Sequence, residues 1–289
     1  MTGLTWKAAW FQIKEALKAA GITESGREAH ALLREDPSGL SPVFAFPDAT
    51  IPSAKWQRIA QQVARRTERE PLAYVRGAAE FYSLPFRVSP AVLIPRPETE
   101  LLVEAVSQRI PTLPPGDVLE LGTGSGALVV TLALQHPDRC FWATDISEAA
   151  LEVARENASR HRVDSRIVFR QGDLFAPVLS RQFAAIICNP PYISHAELAT
   201  LAPEVRRWEP DLALNGGHDG FSLFRRILVG ASSHLHPQGL LALEVGVNQA
   251  TPVSRWCREQ GAQTTCIRDY ASIPRVILAK WADPEEEAS

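Results

Sequence analysis

Four cysteines in 289 residues, Cys140, Cys188, Cys257 and Cys266, are too few for a disulfide scaffold and show no C-x-x-C spacing, which fits a reducing cytoplasm. No apolar stretch approaches the length that spans a bilayer, and Met1 to Lys14 lack the charged head and apolar run of an export signal, so no membrane partner is expected. The histidines, His195 and His218 among them, have no metal-ligand spacing, and no metal is predicted. There is no basic excess: a formal net charge of -3 argues against stable nucleic-acid binding by unspecific phosphate neutralisation. Nor is there an internal repeat, or a low-complexity tract beyond Glu285-Glu286-Glu287. What remains is an ordinary globular mix, 45% apolar and 22% charged, long enough for a full α/β core and a smaller second domain.

From Trp6 to about Tyr74 apolar residues recur at three and four: Trp6, Trp10, Ile13 and Leu17, then Ala29, Leu32 and Leu33, then Trp56, Ile59 and Val63. Gly21, Pro37-Ser38-Gly39 and Pro47-Asp48 punctuate them, which predicts a small helical domain over residues 1–75. Its last helix carries Lys55, Arg58, Arg65, Arg66 and Arg69 against Glu68 and Glu70. A solvated face is the first reading of that charge and a partner-docking surface the second. Pro71 ends the helix, and the alternating residues around Ser83-Leu84-Pro85 predict a hairpin linker over 76–97.

The remainder, 98–289, opens with a helix started by Glu98 or Thr99 after an extended Pro95-Arg96-Pro97. Apolar runs at 118–121, 140–144, 167–170, 183–188, 240–245, 263–267 and 276–280 then alternate with amphipathic helices. That alternation predicts right-handed βαβ units and an α/β fold: a Rossmann-like, doubly wound, mostly parallel sheet covered on both faces.

Glu120-Leu121-Gly122-Thr123-Gly124-Ser125-Gly126-Ala127 ends a strand and opens a helix, so glycines allow a ligand close to the backbone where helix N–H groups point outward. About twenty residues on, Asp145 closes the next strand, where a carboxylate can accept from both hydroxyls of a ribose or cap the helix at Ser147. Asp173-Leu174 closes the third, as an adenine contact or as a plain turn. These features predict an adenosine-containing cofactor without separating methyl donors from dinucleotides, since Gly122, Gly124 and Ala127 also satisfy the dinucleotide pattern.

Asn189-Pro190-Pro191-Tyr192 follows the apolar run Phe183 to Cys188, and no folding need explains it. Two prolines remove donors and leave carbonyl acceptors. The Asn189 side-chain oxygen and the Pro190 carbonyl can accept both hydrogens of a planar NH2 group and aim its nitrogen, with Tyr192 stacked on the plane.

Asn-Pro-Pro-Tyr after the fourth strand of a glycine-loop sheet resembles the amino-group methyltransferases, which act on DNA adenine, certain RNA bases and glutamine amides. Leu93-Ile94-Pro95-Arg96-Pro97-Glu98-Thr99-Glu100, with Glu80-Phe81 before it, is similar to the HemK-type release-factor glutamine methyltransferases, as are Arg207-Trp208-Glu209-Pro210, Leu214 to Gly220 and Leu243-Glu244-Val245-Gly246. The resemblance implies a class I methyltransferase sheet and transfer from S-adenosylmethionine, with S-adenosylhomocysteine as product, to the glutamine of a Gly-Gly-Gln loop in class 1 peptide-chain release factors. It implies that Gly122, Thr123, Gly124, Ser125, Gly126, Asp145, Asp173, Leu174 and Asn189 hold the cofactor. Asn189, Pro190, Pro191 and Tyr192 would hold the glutamine, Asn189, Pro190 and Tyr192 being catalytic, and the helical domain would grip the release factor. Ser83 and Ser272 depart from the pattern by standing where glycine is common. The rival readings are a DNA or RNA amino-group methyltransferase, which would need an extended basic groove, and a nicotinamide-dependent oxidoreductase, which leaves Asn189 to Tyr192 unexplained.

Overall fold

In the computed structural model, which describes residues 3–34 and 40–281, Thr5 opens the first helix by accepting the Ala8 N–H at 3.2 Å. Helix α1 (Trp6–Ala19) buries Trp6, Ala9, Ile13 and Leu17, one face at the spacing read from the sequence. It packs with α2 (Ser25–Leu33), α3 (Pro42–Ala45), α4 (Ser53–Thr67) and α5 (Leu72–Arg76) around Ala29, Leu32, Leu33, Ile51, Ile59 and Val75. This unit comprises the chain up to Gly77 together with Ala202–Trp208. The Pro37-Ser38-Gly39 break and the Glu285–Glu287 tract lie outside the described residues.

Arg66 corrects the reading of α4 as carrying its charge on a solvated face. Its side chain is 5% exposed and donates to Glu28 at 2.6 and 3.1 Å and to Glu204 at 3.1 Å. Both carboxylates come from other segments, so periodicity within the helix could not reveal them. Arg65, by contrast, is half-exposed and closes a local pair with Glu70 at 2.8 Å.

The second unit starts with the antiparallel hairpin β1 (Ala78–Phe81) and β2 (Leu84–Arg87). Its two-residue turn holds Tyr82 at φ 53° and Ser83 at φ 59°, both left-handed. The Tyr82 N–H donates to Glu100 Oε1 at 2.7 Å, which pins the turn to α6 (Pro97–Ser107). Then follow β3 (Val118–Leu121), α7 (Ala127–Gln135), β4 (Phe141–Asp145), α8 (Glu148–Arg160), β5 (Ile167–Gln171) and β6 (Phe183–Cys188). Three short helices come next, α9 (His195–Leu198), α10 (Pro203–Trp208) and α11 (Asp211–Leu214); only α10 belongs to the helical unit. The chain ends with α12 (Ser222–Ala231), β7 (Leu235–Glu244), α13 (Ala250–Glu259), β8 (Ala262–Arg268) and β9 (Pro274–Trp281).

The sheet order is β5-β4-β3-β6-β7-β9-β8, with β5 through β7 parallel and β9 antiparallel to both β7 and β8. The mostly parallel, doubly wound sheet expected from the alternation is present. Its final pair is a hairpin because the short link from Arg268 to Pro274 cannot make a crossover. Strands β3 and β6 are buried along their whole length. Ala185 and Ile187 pack with α6 and α7 on one face; Phe183, Ile186 and Cys188 pack with α12 and α13 on the other. Winding reverses between β3 and β6, and that switch point opens a crevice at their carboxyl ends.

Candidate active site

Register alone gathers the site. Leu121 pairs with Thr144 on one side and with Cys188 on the other, and Cys188 pairs with Leu243. One residue further on, Gly122, Asp145, Asn189 and Glu244 therefore stand along one sheet edge. A cavity of about 270 Å³ opens there, lined by Gly122, Thr123, Gly124, Ser125, Asp145, Asp173, Leu174, Asn189, Pro190 and Pro191. Of the residues expected at cofactor or substrate, Gly126 and Tyr192 are not in the lining.

The glycine loop differs from the expected cradle of outward N–H groups. Gly122 and Thr123 donate to the Thr144 carbonyl at 2.8 and 3.0 Å, Gly126 to Thr123 O at 2.8 Å, and Gly124 to Asp145 Oδ2 at 2.9 Å. These donors are spent on the fold. Gly122 and Gly124 have φ of 69° and 54°, and a Cβ built on either would meet nothing within 4 Å, so both leave open space on the cavity side. A Cβ on Gly126 would meet Ala154 Cβ at 3.0 Å, which makes this glycine a helix-packing residue.

Asp145 sits between the glycine loop and the next helix, whose N-cap is Ser147 rather than Asp145. Oδ1 accepts from the Ser147 N–H at 2.9 Å and Oδ2 from Gly124, yet the residue still lines the cavity. Burial raises its pKa, against the pull of those backbone donors. Glu120, 5% exposed at the end of β3, accepts from Thr123 Oγ1 at 2.5 Å. Burial pushes it up to about 8, the Thr123 hydroxyl pulls down and the Asp145 charge pushes up. Asp173 is paired with Arg226 at 2.6 Å, and both line the cavity. Arg96 in the lining is paired with the buried Glu209, which also accepts from the Ile94 N–H at 3.3 Å. With both arginines neutralised, Asp145 and, once it loses its proton, Glu120 leave the cavity acidic.

Asn189 Nδ2 donates to Thr99 Oγ1 at 3.0 Å. Neither Asn189 Oδ1 nor the Pro190 carbonyl accepts a hydrogen bond among the described residues, so the cavity edge carries two free acceptors. Tyr192, expected to stack on the substrate plane, is held by its own neighbours in the protein. Its ring lies against Gly246, where a Cβ would meet it at 2.9 Å, its hydroxyl donates to Glu244 Oε1 at 3.5 Å, and its carbonyl accepts from Gln249 Nε2 at 2.9 Å. Burial first, then the Glu244 charge, pushes its pKa up to about 12. Tyr192 is a pillar of the loop.

Glu120, Thr99, Glu244, Phe81 and Arg226 are not among the site residues expected from the sequence. An acid closing a buried strand was a visible signal for Glu120; the others reach the site only through tertiary packing. The capping box of Ser194 and Glu197 was legible as S-x-x-E and marks α9. Among the described residues no group of His, Cys, Asp and Glu could hold a metal, and no helix is long and apolar enough to cross a membrane.

A Rossmann-like sheet with an acidic, glycine-edged crevice at its switch point defines the class, a methyltransferase: the Methyltransferase small domain model matches residues 97–205. A methyltransferase from Pyrococcus furiosus superposes with a TM-score of 0.51 at 18% identity, covering 80% of this chain and 99% of its own, which speaks to the fold alone. The PrmC N-terminal domain model matches residues 8–77. The release factor glutamine methyltransferase of Moorella thermoacetica is 40% identical over 96% of this chain and 98% of its own, and that of Cereibacter sphaeroides 42% identical over 91% and 94%. The chain belongs to the release factor glutamine methyltransferase family.

Proposed function

We propose that this chain transfers a methyl group from S-adenosylmethionine to the side-chain amide nitrogen of the glutamine in the Gly-Gly-Gln loop of class 1 release factors, in the cytoplasm. The observation that carries the reading is the pair of free acceptors, Asn189 Oδ1 and the Pro190 carbonyl, at the edge of an acidic cavity. An amide NH2 has two hydrogens to place and no need of an acid or metal. The relatives' names support the same substrate.

The residues present fit the cofactor. Its sulfonium and ammonium are cations, which suit a cavity holding Glu120 and Asp145, and the open space over Gly122 and Gly124 admits a ligand against the backbone. Asp145 keeps lone pairs for ribose hydroxyls, while Leu174 offers apolar contact beside Asp173. A dinucleotide would bring two phosphate charges against those carboxylates with the Gly122, Thr123, Gly124 and Gly126 N–H groups already committed. That disfavours an oxidoreductase.

When bound, S-adenosylmethionine supplies an electrophilic methyl on sulfur. Asn189 and Pro190 hold the amide plane so that the nitrogen faces that methyl, and the prolines line the cavity with apolar surface. The amide lone pair is delocalised and weakly nucleophilic, so orientation must supply most of the rate, a contribution of about 7–11 kcal/mol at best. The nitrogen's proton becomes acidic as the new bond forms and is lost to solvent water, so no strong base is needed. The helical unit is read as the part that grips the release factor, and the domain limits of 1–75, 76–97 and 98–289 go with that reading.

Incubation with methyl-labelled cofactor and a purified release factor, beside oligonucleotides, tests the assignment. One modified glutamine by mass spectrometry is the expected result; label on nucleic acid with the release factor unmodified would overturn it.

A further inference from the structure

Behind Asn189 lies a buried carboxylate that neither the sheet nor the cofactor requires. Glu244 ends β7 one residue past Leu243, the partner of Cys188, and is 1% exposed. Its Oε1 takes the Tyr192 hydroxyl at 3.5 Å, and its buried Oε2 has no hydrogen-bond partner among the described residues. The Thr99 hydroxyl is the neighbour whose approach most lowers its pKa. That hydroxyl oxygen accepts from Asn189 Nδ2.

We propose that Thr99 and Glu244 are positioning residues that set which end of the Asn189 carboxamide faces the cleft. The inference rests on Asn189 being the acceptor for the substrate amide. A carboxamide is nearly symmetric in shape, so packing barely distinguishes its oxygen from its nitrogen; hydrogen-bond polarity does. Thr99 has one hydroxyl proton. With that proton given to the Glu244 carboxylate, Oγ1 presents only lone pairs, Asn189 must offer Nδ2, and Oδ1 is left facing the substrate. Were Glu244 to carry a proton, it would donate to Thr99 Oγ1. The Thr99 hydroxyl would then turn to Asn189, and the flipped carboxamide would set its own NH2 against the incoming NH2, donor against donor.

The titratable and charged groups facing Glu244 are Glu98 on α6, Cys188 on β6, Tyr192 in the loop after β6 and Arg275 on β9. Burial is the largest influence and pushes Glu244 up to about 7, with the Thr99 hydroxyl, Arg275 and the Tyr192 hydroxyl pulling down and the Glu98 charge pushing up. The switch in polarity therefore falls in a range where activity can be measured.

The experiment compares Thr99→Val, Thr99→Ser and Glu244→Gln with the unmodified enzyme in full-length protein. Thr99→Val keeps the shape and loses the hydroxyl; kcat on the release factor should fall at least about tenfold, while the Kd of the cofactor moves less than about twofold. Thr99→Ser, which restores a hydroxyl, should recover most of the loss. The kcat profile should decline below a midpoint of about 7, the value burial gives Glu244, and Glu244→Gln should abolish that acidic limb. The Asn189 side-chain NH2 pair in a nitrogen-proton correlation spectrum, assigned by its absence in Asn189→Asp, reads the orientation without any substrate. It should titrate with the same midpoint and stop doing so in Glu244→Gln. Wild-type turnover in Thr99→Val, or an NH2 pair silent to pH, overturns the relay. If the release factor is never methylated while the NH2 pair still titrates, the relay stands and the substrate assignment falls.

Discussion

Replacing Asn189 with alanine removes one of the two free acceptors at the cavity edge and leaves the glycine loop untouched. In the folded protein the side chain makes one hydrogen bond, Nδ2 to Thr99 Oγ1 at 3.0 Å, so the loss of stability should be about 1 kcal/mol. The catalytic loss should be larger. One substrate N–H would be left without an acceptor in a water-poor site, and the amide plane would lose one of the two contacts that aim its nitrogen. Removing a single preorganised hydrogen-bonding partner of this kind costs about 2.7–4 kcal/mol at the transition state, or about 10²–10³ in kcat. The assay is labelled methyl transfer to a release factor under saturating cofactor, paired with calorimetry of cofactor binding. A fall in kcat with the cofactor Kd little changed is expected. A loss below about tenfold, or an equal loss of cofactor affinity, would refute the division of labour between the Asn189 loop and the glycine loop.

Four further outcomes rest on the same geometry. Burial holds Glu120 up to about 8 when no cation faces it, so cofactor affinity should tighten as pH rises to about 8 and then level off, with Glu120→Gln flattening the profile by calorimetry. In the cofactor-free protein the same raised pKa means that the folded state holds the proton more tightly than the unfolded, so this group's contribution to stability falls as pH climbs from the ordinary carboxylate range towards 8. Ser83→Gly relieves a left-handed residue at φ 59° in the β1–β2 turn and should stabilise by about 1 kcal/mol, raising the melting midpoint by about 2–4 °C in scanning calorimetry. Arg66→Ala leaves Glu28 without its arginine while Glu204 keeps Arg69, and should cost about 3 kcal/mol, the low end for a buried pair, in denaturant titration, whereas an exposed arginine would cost almost nothing.

The two serines that depart from the family pattern show how far reading one chain goes. Both sit at left-handed φ, Ser83 at 59° and Ser272 at 62°, which explains why glycine suits those positions better. The departure was visible in the sequence and its cost was not, because φ is set by how the turn closes. Likewise the Asn-Pro-Pro-Tyr run was legible as a loop of acceptors, but the packing of the Tyr192 ring against Gly246 and the reach of its hydroxyl to Glu244 were not. Nothing within four residues of Tyr192 announces either neighbour.

By itself the sequence determined the periodicities, and through them the elements: strands buried on both faces read as apolar runs, and helices repeat at three and four. It also determined the chemistry available at each strand end, since glycine, acid and Asn-Pro-Pro fall where an α/β sheet presents its loops. Only the tertiary structure decided which side chains meet. Arg66 finds Glu28 and Glu204, Asn189 finds Thr99, and Glu120 loses its water. The physical reason is one of range: hydrogen-bonded periodicity is local and written in consecutive residues, whereas burial and charge pairing depend on atoms that the chain brings together from far apart.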